Sequence, residues 1–330
     1  MRAGAAGGGN AAAPPRRLRL IGWAPLLVLV LLCGIIAAIN PRFLQFGNFV
    51  RIAQAAVIPL VLAIGETFVI LMGSIDLSVE GVVALGAVLT SLLVQNGANQ
   101  LNLGLFGVAL VLLTGALVGL VNGVIHVRLR IPSFMVTLGT WFIAAGIANA
   151  ALGGIAVRIN DPLVRGLVLQ RVLWFPWGVW LALAALALAW FVQDHTRPGR
   201  YLYALGGGEE LAALSGIPAA RVRVLAFMVA GVFYALGGVL SGAQLGLGNA
   251  QVGQGRLFTA ITAVVVGGTA LSGGEGGVLQ TLVGVLIVTV LANGMVLMGV
   301  SPSIQTAVQG LMIIAAVSIS IDRKRLRIVK

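Results

Sequence analysis

The sequence predicts an all-α polytopic membrane protein with about ten transmembrane helices, some of them broken or re-entrant. Of its 330 residues, 59% are hydrophobic and only 9% are charged. Apolar runs of about twenty residues recur along the chain, and an α-helix needs this length to cross a hydrocarbon core of about 30 Å. Gly and Ala are frequent within these runs, as expected for helices that pack closely in lipid.

Ten apolar segments are predicted to span the membrane within one transmembrane domain, residues 20–322. The third and the eighth are short enough to be broken or re-entrant. The ten segments are residues 20–39, 52–72, 79–95, 103–127, 134–152, 173–192, 222–245, 258–272, 277–299 and 302–321.

The net charge of +12 is explained by membrane topology rather than by nucleic-acid binding. With the N-terminus inside and ten crossings, fifteen of the 21 Lys and Arg residues fall on cytoplasmic segments or at their edges. Both termini are therefore predicted to be cytoplasmic. The six arginines left outside are Arg42, Arg51, Arg158, Arg165, Arg171 and Arg256.

The chain ends and the rarer residue types limit the chemistry of this protein. Residues 1–19 are rich in Gly, Ala and Pro and are expected to form a disordered cytoplasmic tail, and residues 323–330 form a basic one. Cys33 is the single cysteine, so no intramolecular disulfide or cysteine metal cluster is possible. His126 and His195 lie far apart in the sequence. No metal site, cofactor motif or catalytic set is therefore predicted.

Residues 193–222 form a polar island between two apolar runs and are predicted to be a cytoplasmic loop. Three glycines precede the acidic pair Glu209 and Glu210, which suits the positive end of a short helix. Leu211 and Leu214 would share one face of that helix. Such a helix outside the lipid is expected to contact a partner.

Three acidic residues, Glu66, Asp76 and Glu80, lie within or beside predicted spans, where ionisable side chains are costly unless they face protein or water. Asp76 has two interpretations: a broken helix that lines a pathway, or a turn in which Ser74 or Asp76 caps the next helix. Glu66 is deeper, and a buried hydrogen-bonded role or a pathway role is expected for it.

A Gly-rich stretch, residues 267–277, interrupts the eighth span but has neither a phosphate-loop nor a dinucleotide pattern. It is interpreted as a flexible turn, or as a tight helix-breaking element packed against the pathway or a partner. Because enzyme motifs are absent, a transport pathway is the expected function. Its candidate residues are Glu66, Asp76, Ser78, Gly268, Thr269 and Asn293.

Small residues at four-residue spacing indicate close helix packing, either inside one subunit or between subunits. The two series are Gly115, Gly119 and Gly123, and Gly238, Gly242 and Gly246.

From about residue 20 to residue 322, the chain resembles the permease subunit of ribose-type ABC sugar importers. Five stretches, which are specific only together, carry the resemblance. They are Gly-Ser-Ile-Asp-Leu-Ser-Val at 73–79, Gly-Arg-Tyr-Leu-Tyr-Ala-Leu-Gly at 199–206, Ala-Ala-Leu-Ser-Gly-Ile at 212–217, Gly-Gly-Thr-Ala-Leu-Ser-Gly-Gly at 267–274, and Asn-Gly at 293–294 with Gly-Val-Ser at 299–301.

The resemblance implies a non-enzymatic transport subunit in the bacterial inner membrane, surrounded by lipid and without a cofactor. It also implies three protein partners: a cytoplasmic ABC ATPase with two nucleotide-binding domains, an extracytoplasmic sugar-binding protein, and a second permease subunit, identical or paralogous. The segment 209–217 then matches a coupling helix that docks on the ATPase, although an amphipathic interfacial helix is the alternative. Its expected contact residues are Glu209, Glu210, Leu211, Leu214, Ser215, Gly216 and Ile217.

Two departures from the family pattern concern the cargo. Arg256 begins the stretch Arg-Leu-Phe-Thr, where ribose-type members commonly carry Tyr-Glu-Leu-Asp, and Glu80 stands where many members have Gly. A more acidic cargo, or a more acidic docking face on the binding protein, is the resulting hypothesis.

Three alternative functions remain open at this point. Nucleoside and branched-chain amino acid ABC permeases share related architecture. A secondary transporter would use Glu66 and Asp76 for proton coupling and would need no ATPase. An integral-membrane enzyme would need a polar catalytic cluster, which the sequence does not show.

Overall fold

The computed structural model describes residues 23–320, and this part of the chain is mostly helical. It contains thirteen α-helices, one short 3₁₀ helix at Pro41–Leu44 and four strands of two residues each. The helices are α1 (Ala24–Ile39), α2 (Phe46–Leu71), α3 (Val79–Leu93), α4 (Gly104–Leu129), α5 (Ser133–Leu152), α6 (Pro162–Leu169), α7 (Trp177–His195), α8 (Arg197–Gly207), α9 (Glu209–Leu214), α10 (Ala219–Leu245), α11 (Arg256–Val266), α12 (Val278–Leu297) and α13 (Pro302–Ser320). The strands are β1 (Val157–Arg158), β2 (Arg171–Val172), β3 (Phe175–Pro176) and β4 (Leu247–Gly248).

Each of the ten predicted spans overlaps one helix of the described chain. Six helices, α2, α4, α5, α7, α10 and α12, are long and apolar enough to cross a membrane. The third and eighth predicted spans correspond to α3 with 15 residues and α11 with 11 residues, which are shorter apolar helices, as is α1. The prediction of a helical membrane protein is confirmed. Ten crossings, cytoplasmic termini and the domain limits at 20 and 322 remain predictions, and the tails at 1–19 and 323–330 lie outside the described residues.

Helices α2 and α10 form the centre of the bundle. Every residue of α2 from Leu60 to Leu71 is buried, and α10 packs against α2, α3 and α4. Helices α4 and α5 bury only narrow stripes and expose large apolar side chains such as Leu117 and Phe142. This distribution is expected when the outer surface of a bundle faces lipid tails rather than water.

Glycines allow α4 and α10 to approach to backbone contact. A Cβ atom placed on Gly119 would overlap the carbonyl group of Phe227, and one on Gly115 would overlap the carbonyl group of Gly231. On the other side of α10, Gly238 packs on the backbone of α3 at Val83. The glycine spacing found in the sequence therefore serves packing inside one subunit.

The two ends of the bundle differ in structure. At one end, called the outer end, β1 pairs with β4, Ile159 N–H donates to Gly246 O (2.9 Å), and α3 ends. Asp161 caps α6 there by accepting hydrogen bonds from the N–H groups of Leu163 (2.9 Å) and Val164 (3.1 Å). At the opposite end, called the inner end, α2 ends and the short helices α8 and α9 lie.

The glycine contact between α4 and α10 predicts a strong effect of a single substitution. Gly119→Val should prevent folding or sharply lower the thermal unfolding midpoint, because its side chain would collide with the backbone of α10. Gly139→Val on α5, where no atom of the described residues lies within 4 Å of an added Cβ, is the matched control and should fold normally. Fluorescence-detected size-exclusion chromatography after heating measures both. Equal stability of the two variants would contradict the packing described here.

Candidate functional site

The segment between α2 and α3 turns back into the bundle after Gly73, whose φ of +76° suits glycine. The backbone N–H groups of Ile75, Asp76 and Leu77 are paired with side chains of neighbouring helices. Asp76 N–H donates to Glu66 Oε1 of α2 (3.4 Å), and Leu77 N–H donates to Thr137 Oγ1 of α5 (2.8 Å). Irregular backbone at this depth needs such partners because lipid offers none.

A chain of buried hydrogen bonds continues from this segment across α3, α4 and α5. Asp76 Oδ1 accepts from Ser78 N–H (2.8 Å) and from Ser78 Oγ (2.6 Å). Asn122 Nδ2 donates to Ser78 Oγ (3.2 Å), and Thr140 Oγ1 donates to Asn122 Oδ1 (2.6 Å). Asp76 thus closes a turn immediately before α3 but does not cap it, because the residue that precedes the helix is Ser78 and no side chain makes a capping hydrogen bond there. The Oδ2 atom of Asp76 is buried and has no hydrogen-bond partner among the described residues.

Glu66 is held by a residue that sequence analysis did not identify. Tyr234, at the centre of α10, donates its hydroxyl hydrogen to Glu66 Oε2 (2.7 Å). Both side chains are fully buried, and Asp76 and Ser78 are buried with them. In this conformation these three candidate residues face other side chains of the same subunit, so a role as pathway lining stays a prediction.

Asn293 lies elsewhere, on α12. It exchanges two hydrogen bonds of 3.0 Å with Asn48 of α2, and Asn48 Nδ2 also donates to Phe43 O (3.1 Å). This arrangement is the interhelical amide pair that is common in membrane bundles. The structure therefore separates Asn293 from the polar cluster around Asp76.

The Gly-rich stretch 267–277 is a compact turn at the inner end. Thr269 is buried, and its Oγ1 atom accepts a hydrogen bond from Gly277 N–H (3.1 Å), while Gly268 is exposed with φ of +103°. Gly274 N–H donates to Leu71 O at the end of α2 (2.9 Å). The turn therefore joins α11 and α12 to the last residue of α2.

Helix α8 packs on the same turn, backbone against backbone. A Cβ atom on Gly206 would overlap Leu71 O and Gly274 N. Tyr203 donates its hydroxyl hydrogen to Gly276 O (2.7 Å). Burial raises the pKa of Tyr203 to about 12, so its hydroxyl group stays protonated and remains a donor at neutral pH. We call this contact of Gly206, Leu71 and Gly274 the glycine junction.

Helix α9 presents the predicted coupling residues at the surface of the inner end. Leu214 is 86% exposed and Leu211 is 71% exposed, whereas Ala212 faces inward. Glu209 forms an ion pair with Arg223 of α10 (2.7 Å), which fixes the start of α9 to the bundle.

The other residues of the predicted coupling segment end this helix and start the next. Ser215 and Gly216 follow α9, and Gly216 has φ of +75°. Ile217 N–H donates to Ala212 O (3.1 Å). Glu210 is exposed. The segment is therefore a short helix closed by a tight turn, with two exposed leucines.

Two features of the site, helix α8 and the side chain of Tyr234, were not predicted from the sequence. Helix α8 was not predicted, although Thr196 before Arg197-Pro198 is a helix-start signal, with the proline in the first turn. Tyr234 lies in a long apolar helix, and a tyrosine there is equally compatible with the bundle surface. No local pattern pairs it with a carboxylate 168 positions away.

Comparison with known proteins adds an independent line of evidence. Residues 48–317 match the family described as branched-chain amino acid transport system / permease component. The chain is 35% identical over 304 residues to the ribose import permease protein RbsC of Escherichia coli (strain K12), which covers 91% of this chain and 93% of that protein. No solved structure matches the chain.

Two further relatives extend this result. The galactose/methyl galactoside import permease protein MglC of Haemophilus influenzae is 34% identical over 311 residues, covering 88% of this chain and 91% of its own. The ribose import permease protein RbsC of Bacillus subtilis (strain 168) is 34% identical over 307 residues, covering 91% and 92%. The resemblance to ribose-type permeases inferred from motifs is confirmed.

The hydrogen bond between Tyr234 and Glu66 predicts a measurable loss of stability. Tyr234→Phe keeps the ring but leaves a buried carboxyl oxygen without its donor. This change should lower the free energy of unfolding by about 1–3 kcal/mol. Tyr201→Phe, at a half-buried position of α8, is the matched control and should cost less than half as much. Unfolding in mixed detergent micelles measures both. If Tyr234→Phe leaves the free energy of unfolding unchanged, the hydrogen bond does not stabilise the bundle.

Proposed function

The chain belongs to the branched-chain amino acid transport system permease family, and from this premise we propose that it imports a monosaccharide or a related small polar solute. It would do so as the transmembrane subunit of an ATP-driven ABC importer, by alternating access. The family includes transporters of different solutes, but the relatives described above are ribose and galactose import permeases. Sugar is therefore favoured over nucleosides and branched-chain amino acids.

The observation that carries the proposal is the pair of exposed leucines on α9. Leu211 and Leu214 lie in a polar segment between spans, at the end of the bundle where the chain has its cytoplasmic basic residues by prediction. Large apolar side chains exposed to water on a short rigid helix suit a groove on another protein. The partner we propose is a cytoplasmic ATPase with two nucleotide-binding domains.

The glycine junction gives this docking helix a route into the membrane domain. α9 follows α8 directly, and Gly206 of α8 lies in backbone contact with Leu71 and Gly274. Because glycine backbones in contact leave no compressible side chain between them, displacement of α8 displaces the end of α2 and the Gly-rich turn. ATP binding in the partner would thereby shift the permease between inward and outward access.

The complete transporter needs further components. A second permease subunit, identical or paralogous, is proposed to complete the path across the membrane, and an extracytoplasmic sugar-binding protein is proposed to deliver the cargo. This chain supplies the path and the mechanical link, and the ATPase supplies the energy. Access changes only to the extent that the two states are stabilised differently by these partners.

Reconstitution in liposomes tests the proposed function. Uptake of radiolabelled ribose or galactose should require the permease, the ATPase, the binding protein and ATP together. Uptake by the permease alone under a pH gradient would instead identify a proton-coupled secondary transporter. Uptake of leucine or a nucleoside, with no uptake of either sugar, would assign the chain to another branch of the family.

Substitution of the docking leucine tests the coupling role of α9. Leu214→Asp should reduce ATP-driven uptake at least about tenfold, because a charge replaces an apolar side chain at the centre of the proposed contact. Protein yield and thermal stability should not change, since Leu214 is exposed. Leu163→Asp on α6 at the outer end, also exposed, is the matched control and should transport normally. Full uptake by Leu214→Asp would contradict docking through α9.

A further inference from the structure

A polar stretch of chain descends into the bundle between α10 and α11. Gly248 of β4 lies against Ser91 near the outer end of α3, and Gly253 lies against the backbone of Glu80 in the first turn of α3. Gly248 also lies against Ala87 O, and at a rise of 1.5 Å per residue Ala87 and Glu80 are about 10 Å apart along α3. Residues 249–255, which we call the descending loop, therefore run inward by about this distance.

The tip of this loop lies inside the hydrocarbon region. Glu80 is about 20 Å along α3 from its outer end at Leu93. The neighbouring Gly81 packs on the backbone of Trp141, which is about 12 Å along α5 from the start of that helix at the inner end. With a hydrocarbon core of about 30 Å, Gly253 lies well below the outer surface.

The exposed side of the descending loop is polar. Gln251 and Gln254 are exposed, Asn249 is half-buried, and the backbone forms turns rather than a helix. Irregular, polar chain at membrane depth does not face lipid, and it occurs only where it is buried in protein or lines a water-filled cavity. Gly253 and Leu257 anchor the other side in the bundle. The glutamine face is therefore expected to meet water or another protein surface rather than lipid.

Arg256, immediately after the loop, points to the same conclusion. Between residues 23 and 320 the one ion pair joins Arg223 and Glu209, so Arg256 has no carboxylate within 4 Å there. Its half-buried side chain contacts Val252 O through Nε at 3.5 Å. Glu80 contacts Gly253 through its backbone, and within the described residues no ion pair joins its carboxyl group to the guanidinium. An unpaired arginine at this depth requires water or a polar ligand.

We propose that the descending loop and the first turn of α11 line the path of the transported sugar, with Gln251, Gln254 and Arg256 as its polar contacts. Amide groups both donate and accept hydrogen bonds and the guanidinium donates several, which matches the hydroxyl groups of a sugar. This inference rests on the proposed function and names the part of the chain that meets the cargo.

Cysteine accessibility in the assembled transporter tests the water-facing surface. The single native cysteine is first removed as Cys33→Ala, and cysteines are then introduced singly as Gln251→Cys, Gln254→Cys and, on the lipid-facing side of α5 at similar depth, Ile143→Cys. A charged, membrane-impermeant methanethiosulfonate should modify the two loop cysteines more than about tenfold faster than the α5 cysteine, because it reacts with a thiolate in water. Equal, slow modification of all three overturns the proposal and indicates a loop packed against another subunit or lipid.

Blocking of transport tests whether this surface is the path. The adduct on Gln254→Cys should reduce ribose uptake at least about tenfold relative to the same variant before modification, because the added charged group narrows the route. Gln100→Cys in the exposed outer loop is the matched control, and its adduct should leave uptake unchanged. Full uptake with a modified residue 254 overturns the proposal.

The two proposals fail in different ways. If the Cys33→Ala parent with all its partners imports neither ribose, galactose nor any other monosaccharide or small polar solute, the proposed function is wrong, while the accessibility measurement still decides whether the loop faces water. If the parent imports sugar but the loop cysteines are unreactive, the path lies elsewhere.

Discussion

The structure depends on the rule that every backbone polar group at membrane depth must have a partner. Two segments of the described chain break helical regularity inside the bundle, and each is held by contacts to other helices. Asp76 and Leu77 donate their N–H groups to Glu66 and Thr137, and Gly253 lies against the backbone of Glu80. Glu66 is thus explained first as an acceptor for irregular backbone. Tyr234 then completes the environment of Glu66.

Glycine provides the second requirement, which is close approach. The backbones of α4, α10 and α3 contact one another at Gly115, Gly119 and Gly238, and the inner end repeats this device at the glycine junction. Direct backbone contact gives little room for independent movement, so the centre of the bundle and α8 form a stiff unit. Stiffness suits a subunit that must pass a displacement from a surface helix to the membrane interior.

Sequence alone predicted the class of the fold because hydrophobic run length and small-residue spacing are local signals. It also predicted that the third and eighth apolar segments are too short to span regularly, as seen in α3 and α11. A buried hydrogen-bonded role was one expectation for Glu66, but its partners Tyr234 and Asp76 could not be predicted, because they depend on which helices meet. The spacing of Leu211 and Leu214 defined a shared face, but only the packing of Ala212 shows that this face points outward.

The two irregular segments are connected to the surface helix by contiguous contacts. α9 follows α8, Gly206 contacts Leu71 at the end of α2, and the segment after α2 carries Asp76 back to Glu66.

From Asp76 the next turn of chain is the start of α3, where the backbone of Glu80 contacts Gly253 of the descending loop. A displacement at α9 therefore reaches Arg256 and the descending loop without crossing a flexible linker. Such contiguity is a physical route for coupling, and its strength depends on whether these contacts differ between two discrete states. The short helix α11 has the descending loop at one end and the Gly-rich turn at the other. Rotation of α11 about its own axis would therefore move the side chains that we propose contact the sugar. It would also move the Gly-rich turn that contacts α8.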